Sequence, residues 1–315
     1  MATKIDYKQI IKNNGVIIAF LIICIALAIM SPVFFTLNNI MNIFRQTSIY
    51  GIIAVGMTFV ILTGGIDLSV GSILAFSGVI CAGLMKRHDA PIFLAALAAI
   101  GVGAGMGLVN GLLITLGKIA PFVVTLGMVT IGRGLTLIYT NGYPISGFSS
   151  EFRKLGGGYV AGIPIPVIIF LITVIIAWFI LNHTRLGRYT YAIGGNEETV
   201  KLSGINVNFF KTAVYVIVGI TSALSSLILS SRLNSAEAVA GQGYELDVIA
   251  AVVIGGTSLT GGRGSILGTL IGALLIGVIN NGMNLLGISP YFQQVVKGAL
   301  IIGAVILDRL RDDTK

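Results

Sequence analysis

Two side chains capable of acid or hydroxyl chemistry stand where the surrounding sequence is almost entirely apolar. Asp67 and Ser69 follow Gly64 and Gly65 in the run GGIDLSVGS, residues 64–72. A charge in an apolar run is costly unless it faces protein or water, so one interpretation is an element that lines or gates a solute path. The other is a helix cap, in which Asp67 or Ser69 binds the free amides that start the next helix. The sequence leaves both interpretations open.

Asparagines form a second polar group inside an apolar run. Amides donate and accept hydrogen bonds, which suits a neutral polyol such as a sugar. They suit hydrogen bonds between membrane helices equally well. We predict that the asparagines and residues of the 64–72 run together line a substrate pathway. The predicted set is Gly64, Gly65, Asp67, Ser69, Asn280, Asn281 and Asn284.

Acidic residues also begin a later apolar run, at GQGYELD, residues 241–247. Glu245 and Asp247 either cap the helix that follows, where carboxylates favour the positive helix end, or meet a partner on the outer surface. Asn141 lies in a similar position at the end of another apolar run. We predict that a partner docks on Asn141, Glu245 and Asp247.

Patterns typical of catalysis are missing from the sequence. It contains no G-x-x-x-x-G-K-[ST] phosphate loop, no H-E-x-x-H and no G-x-S-x-G. The two cysteines, Cys24 and Cys81, lie in apolar runs, and the two histidines, His88 and His183, lie at the ends of such runs. We therefore predict that this chain is not an enzyme and has neither a metal site nor a bound cofactor.

The overall composition indicates a protein that lies in a lipid bilayer. Of 315 residues, 55% are hydrophobic and 10% are charged, whereas a soluble domain carries about 25% charged residues. The formal charge of +8 comes from basic residues scattered at the ends of apolar runs. Membrane topology explains that scatter better than a nucleic-acid partner, which we exclude.

The predicted fold is an all-α integral membrane protein with about ten transmembrane helices, some of them short or broken, since one span needs about 20 apolar residues. With the N-terminus inside, inner segments carry twelve Lys and Arg residues and outer segments carry six, as the positive-inside rule requires. We expect a cytoplasmic N-terminal segment at 1–14, a single transmembrane domain at 15–308 and a cytoplasmic tail at 309–315. The predicted spans are 15–35, 47–63, 70–85, 91–116, 121–139, 164–182, 212–231, 247–259, 265–284 and 290–307.

Glycines follow two patterns. Between Gly101 and Gly111 they recur at four-residue spacing, which predicts close packing of the fourth span against another helix. The sequence LTGG occurs at Leu62–Gly65 and again at Leu259–Gly262, a weak internal repeat of the kind found in transporters.

A long polar segment, residues 182–208, separates two apolar spans and faces the cytoplasm on this topology. Asn196 followed by Glu197 and Glu198 favours a helix start, and Gly204 favours its end, so we predict a short helix of about seven residues. An amphipathic surface helix is the simpler interpretation. The capping residues and the two arginines that precede them favour a docking helix for a cytoplasmic partner.

Several longer runs make the sequence similar to one protein family: LTGGIDLSVGS, HTRLGRY, AIGGNEE, LSGINV, GYELDVIAAVVIGGTSLTGG and NNGMNLLG. From about Phe34 to the last span, the chain resembles the permease subunit of bacterial ribose-type ABC importers. The resemblance implies uptake of a monosaccharide, with ribose the best match and galactose, xylose, arabinose or autoinducer-2 as alternatives.

The resemblance also implies partners and a location. They are a second copy of the chain, a cytoplasmic ATP-binding subunit that holds ATP and Mg, and an extracytoplasmic sugar-binding protein, all at the bacterial inner membrane. The coupling segment would be residues 183–210, with ATPase-coupling residues Arg185, Gly187, Arg188, Gly194, Gly195, Asn196, Glu197, Glu198, Ser203 and Gly204. The competing hypothesis is a stand-alone secondary sugar carrier that uses Asp67 as its coupling carboxylate.

Overall fold

The computed structural model describes the backbone of residues 7–312 and the side chains of residues 17–303, 305 and 306. Short strands form two antiparallel pairs, β1 (Ile145–Ser146) with β4 (Ser235–Ala236) and β2 (Tyr159–Val160) with β3 (Ile163–Pro164). The rest of the regular structure is helical: α1 (Tyr7–Met30), α2 (Leu37–Leu62), α3 (Val70–Arg87), α4 (Ile92–Thr115), α5 (Pro121–Thr140), α6 (Ser150–Gly157), α7 (Ile165–His183), α8 (Arg185–Gly195), α9 (Glu197–Leu202), α10 (Val207–Leu233), α11 (Tyr244–Ile254), α12 (Ile266–Leu285) and α13 (Pro290–Asp312).

Seven helices among the described residues are long and apolar enough to cross a membrane, namely α2, α3, α4, α5, α7, α10 and α12. The predicted all-helical membrane fold is confirmed, whereas the number of about ten spans stays a prediction. Helix α11 shows why the count is difficult. It has 11 residues, so it is about 16 Å long, against a hydrocarbon core of about 30 Å.

The centre of the bundle is α2, whose most apolar stretch is 89% buried. It packs against α7, α10, α11 and α12. Helices α4, α5 and α7 bury a third or less of the corresponding stretch and present leucine, isoleucine and phenylalanine side chains outward. The bundle therefore has an inner helix surrounded by helices suited to contact with lipid.

The second predicted span was wrong at its start: α2 begins at Leu37 and not at residue 47. Thr36 caps it, because its Oγ1 accepts a hydrogen bond from the Asn39 amide. The polar residues of this first part are tolerated because several are paired within the bundle. The side chains of Asn39 and Asn281 of α12 donate to each other at 3.0 and 2.8 Å.

Close packing of α4 on α10 confirms the prediction from the glycine spacing. A methyl group at Gly107 would overlap the carbonyl oxygen of Tyr215, and one at Gly103 would overlap that of Gly219. By contrast, a methyl group at Gly105 would have no atom of another residue within 4 Å. One face of α4 therefore touches the α10 backbone, and the opposite face is open.

We expect Gly107→Leu to destabilise the protein by at least about 1–3 kcal/mol, because the added side chain forces α4 away from α10. Gly105→Leu is the matched control and should leave stability unchanged. Thermal unfolding of the detergent-solubilised protein, followed by size-exclusion chromatography, measures both. Equal midpoints for the two variants would contradict this packing.

Candidate coupling site and solute pathway

The polar segment between α7 and α10 forms two short helices and not the single one predicted. The predicted start at Asn196 is confirmed, since its side chain accepts a hydrogen bond from the Thr199 amide at 2.9 Å. Before it lies α8, capped by Thr184, whose Oγ1 accepts from the Gly187 amide at 3.4 Å. The sequence did not reveal α8 because its glycines have low helix propensity.

A small apolar cluster holds α8 and α9 against the start of α10. Ile193 of α8, Val200 of α9 and Val207 of α10 are buried together. The rings of Tyr189 and Phe210 meet edge to face beside them, with centroids 4.7 Å apart. Because one residue of each helix enters the cluster, the two short helices and the start of α10 form one unit.

Glu197 adds an electrostatic link between α9 and α10. Its carboxylate lies 2.5 Å from Nζ of Lys201 and 3.0 Å from Nζ of Lys211. Partial burial alone would raise the pKa of Glu197, but the hydrogen bonds and charges of the two lysines outweigh it and lower the pKa. The link is therefore complete above the ordinary carboxyl pKa and is lost only as the pH falls through the lowered value.

The outer surface of this unit combines charge with one apolar side chain. Arg185, Arg188 and Glu198 are exposed. Leu202, at the end of α9, is 84% exposed. Such a mixture of exposed charges around a large apolar residue suits a protein interface.

Beneath α8, the two LTGG repeats of the sequence touch each other. The Gly262 amide donates to the carbonyl oxygen of Leu62 at 2.9 Å. A methyl group at Gly194 of α8 would overlap that same oxygen and the Gly262 amide nitrogen. We call the contact of Leu62, Gly194, Gly261 and Gly262 the glycine crossing. It joins the end of α8 to residues 63–69, which lead into α3, and to residues 255–265, which lead into α12.

Asp67 and Ser69 are fully buried within residues 63–69. Asp67 Oδ1 accepts hydrogen bonds from the Ser69 amide at 2.8 Å and from the Ser69 hydroxyl at 2.5 Å. Asn110 of α4 donates to the Ser69 hydroxyl at 2.9 Å. These contacts favour the structural interpretation, in which the carboxylate fixes the backbone before α3. Asn110 was missed, and its sequence signal was one amide inside an apolar run.

The predicted pathway asparagines have different environments. Asn281 is paired with Asn39, as described above, and Asn284 accepts a hydrogen bond from Gln293 at 2.9 Å. The Asn280 Oδ1 atom is buried without a hydrogen-bond partner. The side chains of Asn281 and Asn284 thus form hydrogen bonds between chain segments. A pathway role for these three residues, and for Gly64 and Gly65, stays a prediction.

The two acidic residues at the start of α11 differ in their exposure. Asp247 is 5% exposed, and its carboxylate accepts a hydrogen bond from Lys297 of α13 at 2.8 Å. Glu245 is half-buried and lines a cavity together with Arg133. These side chains are buried or half-buried because the chain after β4 turns into the bundle before α11 begins. We therefore withdraw Asp247 from the docking prediction, whereas docking on the half-buried Glu245 stays a prediction. Asn141, exposed at the end of α5, remains in it.

Comparison with known proteins places the chain in a family. The model of the branched-chain amino acid transport system / permease component family matches residues 39–305. The ribose import permease protein RbsC of Bacillus subtilis strain 168 is 51% identical over 308 residues, which cover 97% of this chain and 95% of that protein. RbsC of Escherichia coli strain K12 is 50% identical, over 96% of this chain and 95% of its own length. The D-allose transport system permease protein AlsC of the same strain is 45% identical, over 92% and 90%.

The helices that could span a membrane and the family match define a multi-pass membrane protein of transport systems. The chain belongs to the family of branched-chain amino acid transport system permease components. Its predicted resemblance to ribose-type importer permeases is confirmed by relatives that are about half identical over nearly the whole chain. No solved structure matches it.

Lys297→Met should destabilise the protein by roughly 3 kcal/mol, because it leaves the Asp247 carboxylate buried without its cation. Adding Asp247→Asn should restore much of the loss, since no uncompensated charge remains. Thermal unfolding of the purified single and double variants measures this coupling. A double variant that is no more stable than Lys297→Met would show that the ion pair is not the cause.

Proposed function

We propose that this chain is the membrane permease subunit of an ATP-driven importer that takes up a monosaccharide, with ribose as the first candidate. The observation that carries this proposal is the identity of about half of its residues with ribose import permeases over nearly the whole chain. The similarity to the D-allose permease makes allose the second candidate.

In this proposal the chain crosses the bacterial inner membrane ten times, through α1–α5, α7 and α10–α13, with α11 as a half-length span. Both termini, α8 and α9 then lie in the cytoplasm, and α6 and the four strands lie outside. The excess of basic residues in the inner segments supports this orientation. The glycine crossing lies at the end of the bundle next to α8. This is where an element that transmits a movement of the ATP-binding subunit is expected.

The partners in this proposal follow from the same unit of α8 and α9. Its exposed surface, with Arg185, Arg188, Glu198 and Leu202, docks on an ATP-binding subunit, which holds ATP and Mg, so this chain carries no cofactor. A second copy of the chain completes the pore, and a sugar-binding protein delivers the solute outside. When the ATPase moves α8, the glycine crossing passes the displacement to the segments before α3 and α12.

The competing hypothesis, a stand-alone carrier driven through Asp67, has less support. The coupling carboxylate of such a carrier must reach a water-filled cavity to exchange its ion. Asp67 is fully buried, and its oxygens accept hydrogen bonds from Ser69 and Asn110. The carboxylate therefore fits a structural role better than ion exchange.

Uptake of labelled ribose into ATP-loaded proteoliposomes tests the proposed function, with the binding protein outside and the ATPase either included or omitted. We expect uptake only when the ATPase is present. The same vesicles offered allose decide between the two sugars. Uptake by the chain alone under an ion gradient would overturn the proposal in favour of a secondary carrier.

Two glycine variants test the coupling path. Gly194→Ala should reduce ribose uptake per ATP hydrolysed by about tenfold or more, because the new methyl group pushes α8 away from Leu62 and Gly262. Gly105→Ala is the matched control, since Gly105 also lies in a helix and its methyl group would meet no other residue within 4 Å. The control should keep normal coupling at equal membrane abundance. Normal coupling in Gly194→Ala would exclude the crossing as the route.

A further inference from the structure

A cavity of about 300 Å³ lies between α3, α5 and the segment that enters the bundle before α11. Its lining includes four polar side chains: Ser72, Arg133, Gln242 and Glu245. Arg133 lies beyond the middle of α5, and its guanidinium donates to the carbonyl oxygens of Ala238 and Ala240, the latter at 2.7 Å. These bonds fix the entering segment against the second half of α5.

Close backbone contact holds this segment on the other side. Gly71 lies in the first turn of α3, and a methyl group there would overlap the carbonyl oxygen of Gly241. The hydroxyl of Ser72 donates to the Ser69 carbonyl oxygen at 2.8 Å and lies 3.3 Å from the Met128 carbonyl oxygen of α5. The wall of the cavity is thus built from three elements, and the positions of its polar groups are fixed by backbone contacts.

The cavity opens to the outside of the chain. Gln242 is exposed and Glu245 is half-buried, and Leu137 at its edge is 48% exposed. Polar and charged groups at membrane depth face a bundle interior or a water-filled cavity and not lipid. This face of the chain must therefore border water or a second protein surface.

We propose that this cavity binds the transported sugar during its passage, as a low-affinity site within the permease. The proposal rests on the proposed importer function and adds the residues that the solute touches: Arg133, Gln242 and Glu245. The proposal requires that the open side of the cavity borders the solute path in the assembled transporter.

The chemistry of the cavity suits a neutral sugar. A guanidinium supplies several N–H donors, a carboxylate supplies acceptors, and an amide supplies both. The positive charge of Arg133 and the negative charge of Glu245 balance, so the site favours a solute without net charge. Apolar side chains, among them Val129 and Leu137, cover the rest of the wall and can pack on the C–H face of the ring. The volume lies at the lower end of the range of about 300–1,000 Å³ typical of small-molecule sites.

Two variants test the site without disturbing Arg133, which has a structural role. Gln242→Leu removes hydrogen bonds to the sugar at nearly constant volume, and Leu137→Trp fills the cavity. Leu135→Trp is the matched control, since Leu135 lies on the same helix, is 39% exposed and is outside the lining. All three are reconstituted with the ATPase and the binding protein, and ribose uptake and ATP hydrolysis are measured together.

We expect Gln242→Leu and Leu137→Trp to lower uptake per ATP hydrolysed by about five- to tenfold. ATP hydrolysis stimulated by the binding protein should persist, which shows that these variants fold and assemble. Leu135→Trp should behave as the unmodified chain. Uptake per ATP in the two cavity variants equal to that of the control would overturn the site. Absence of uptake by the unmodified chain, with ribose and allose alike, would instead overturn the proposed function.

A direct measure of occupancy completes the test. In a chain with Cys24→Ser and Cys81→Ala, Gln242→Cys places a single thiol in the cavity. Modification of this thiol by a water-soluble reagent in the assembled transporter should become several-fold slower when ribose saturates the binding protein. An unchanged rate with ribose would contradict binding at this position.

Discussion

The need to satisfy every backbone polar group inside a membrane governs this structure. Two of the irregular segments between helices, residues 63–69 before α3 and residues 255–265 before α12, contact each other. At the first segment Asp67 accepts from the Ser69 amide, while Asn110 holds the Ser69 hydroxyl. At the second segment the Gly262 amide donates a hydrogen bond to the Leu62 carbonyl oxygen. Each segment is therefore stable partly because the other one is present.

Because the two segments depend on each other, the glycine crossing can pass a movement of α8 on to both. A backbone hydrogen bond between the two segments brings their main chains into contact, and Gly194 allows α8 to lie directly on both. A packed contact of this kind has discrete arrangements and does not deform continuously. If α8 moves, the segments leading into α3 and α12 must move with it or lose the contact. The structure thus links the charged surface of α8 and α9 to the segments before α3 and α12 through close packing and one backbone hydrogen bond.

Features with local causes could be predicted from the sequence. The cap at Asn196, the glycine face of α4 and the LTGG repeat each depend on neighbouring residues or on regular spacing. The contact between the two repeats, which are almost two hundred residues apart, was not predictable, because a repeat indicates similar structure and not proximity.

The partners of buried polar residues were harder to predict, because they come from distant helices. Asp67 could be recognised as unusual, but its partner Asn110 lies on another helix. The same holds for Asp247, which a sequence argument places at an outer helix start. In the structure the chain after β4 turns inward, and Lys297 pairs with the carboxylate. One-dimensional hydropathy does not distinguish a segment that enters the bundle from one that stays at its surface.

Hydrogen exchange of the assembled transporter, measured by mass spectrometry with and without an ATP analogue on the ATPase, tests the role of the glycine crossing most directly. The account predicts that peptides covering residues 185–204, 60–70 and 256–266 change their exchange together. It further predicts that Gly194→Ala confines the change to residues 185–204. A change at residues 185–204 with both other segments unaffected in the unmodified chain would contradict it.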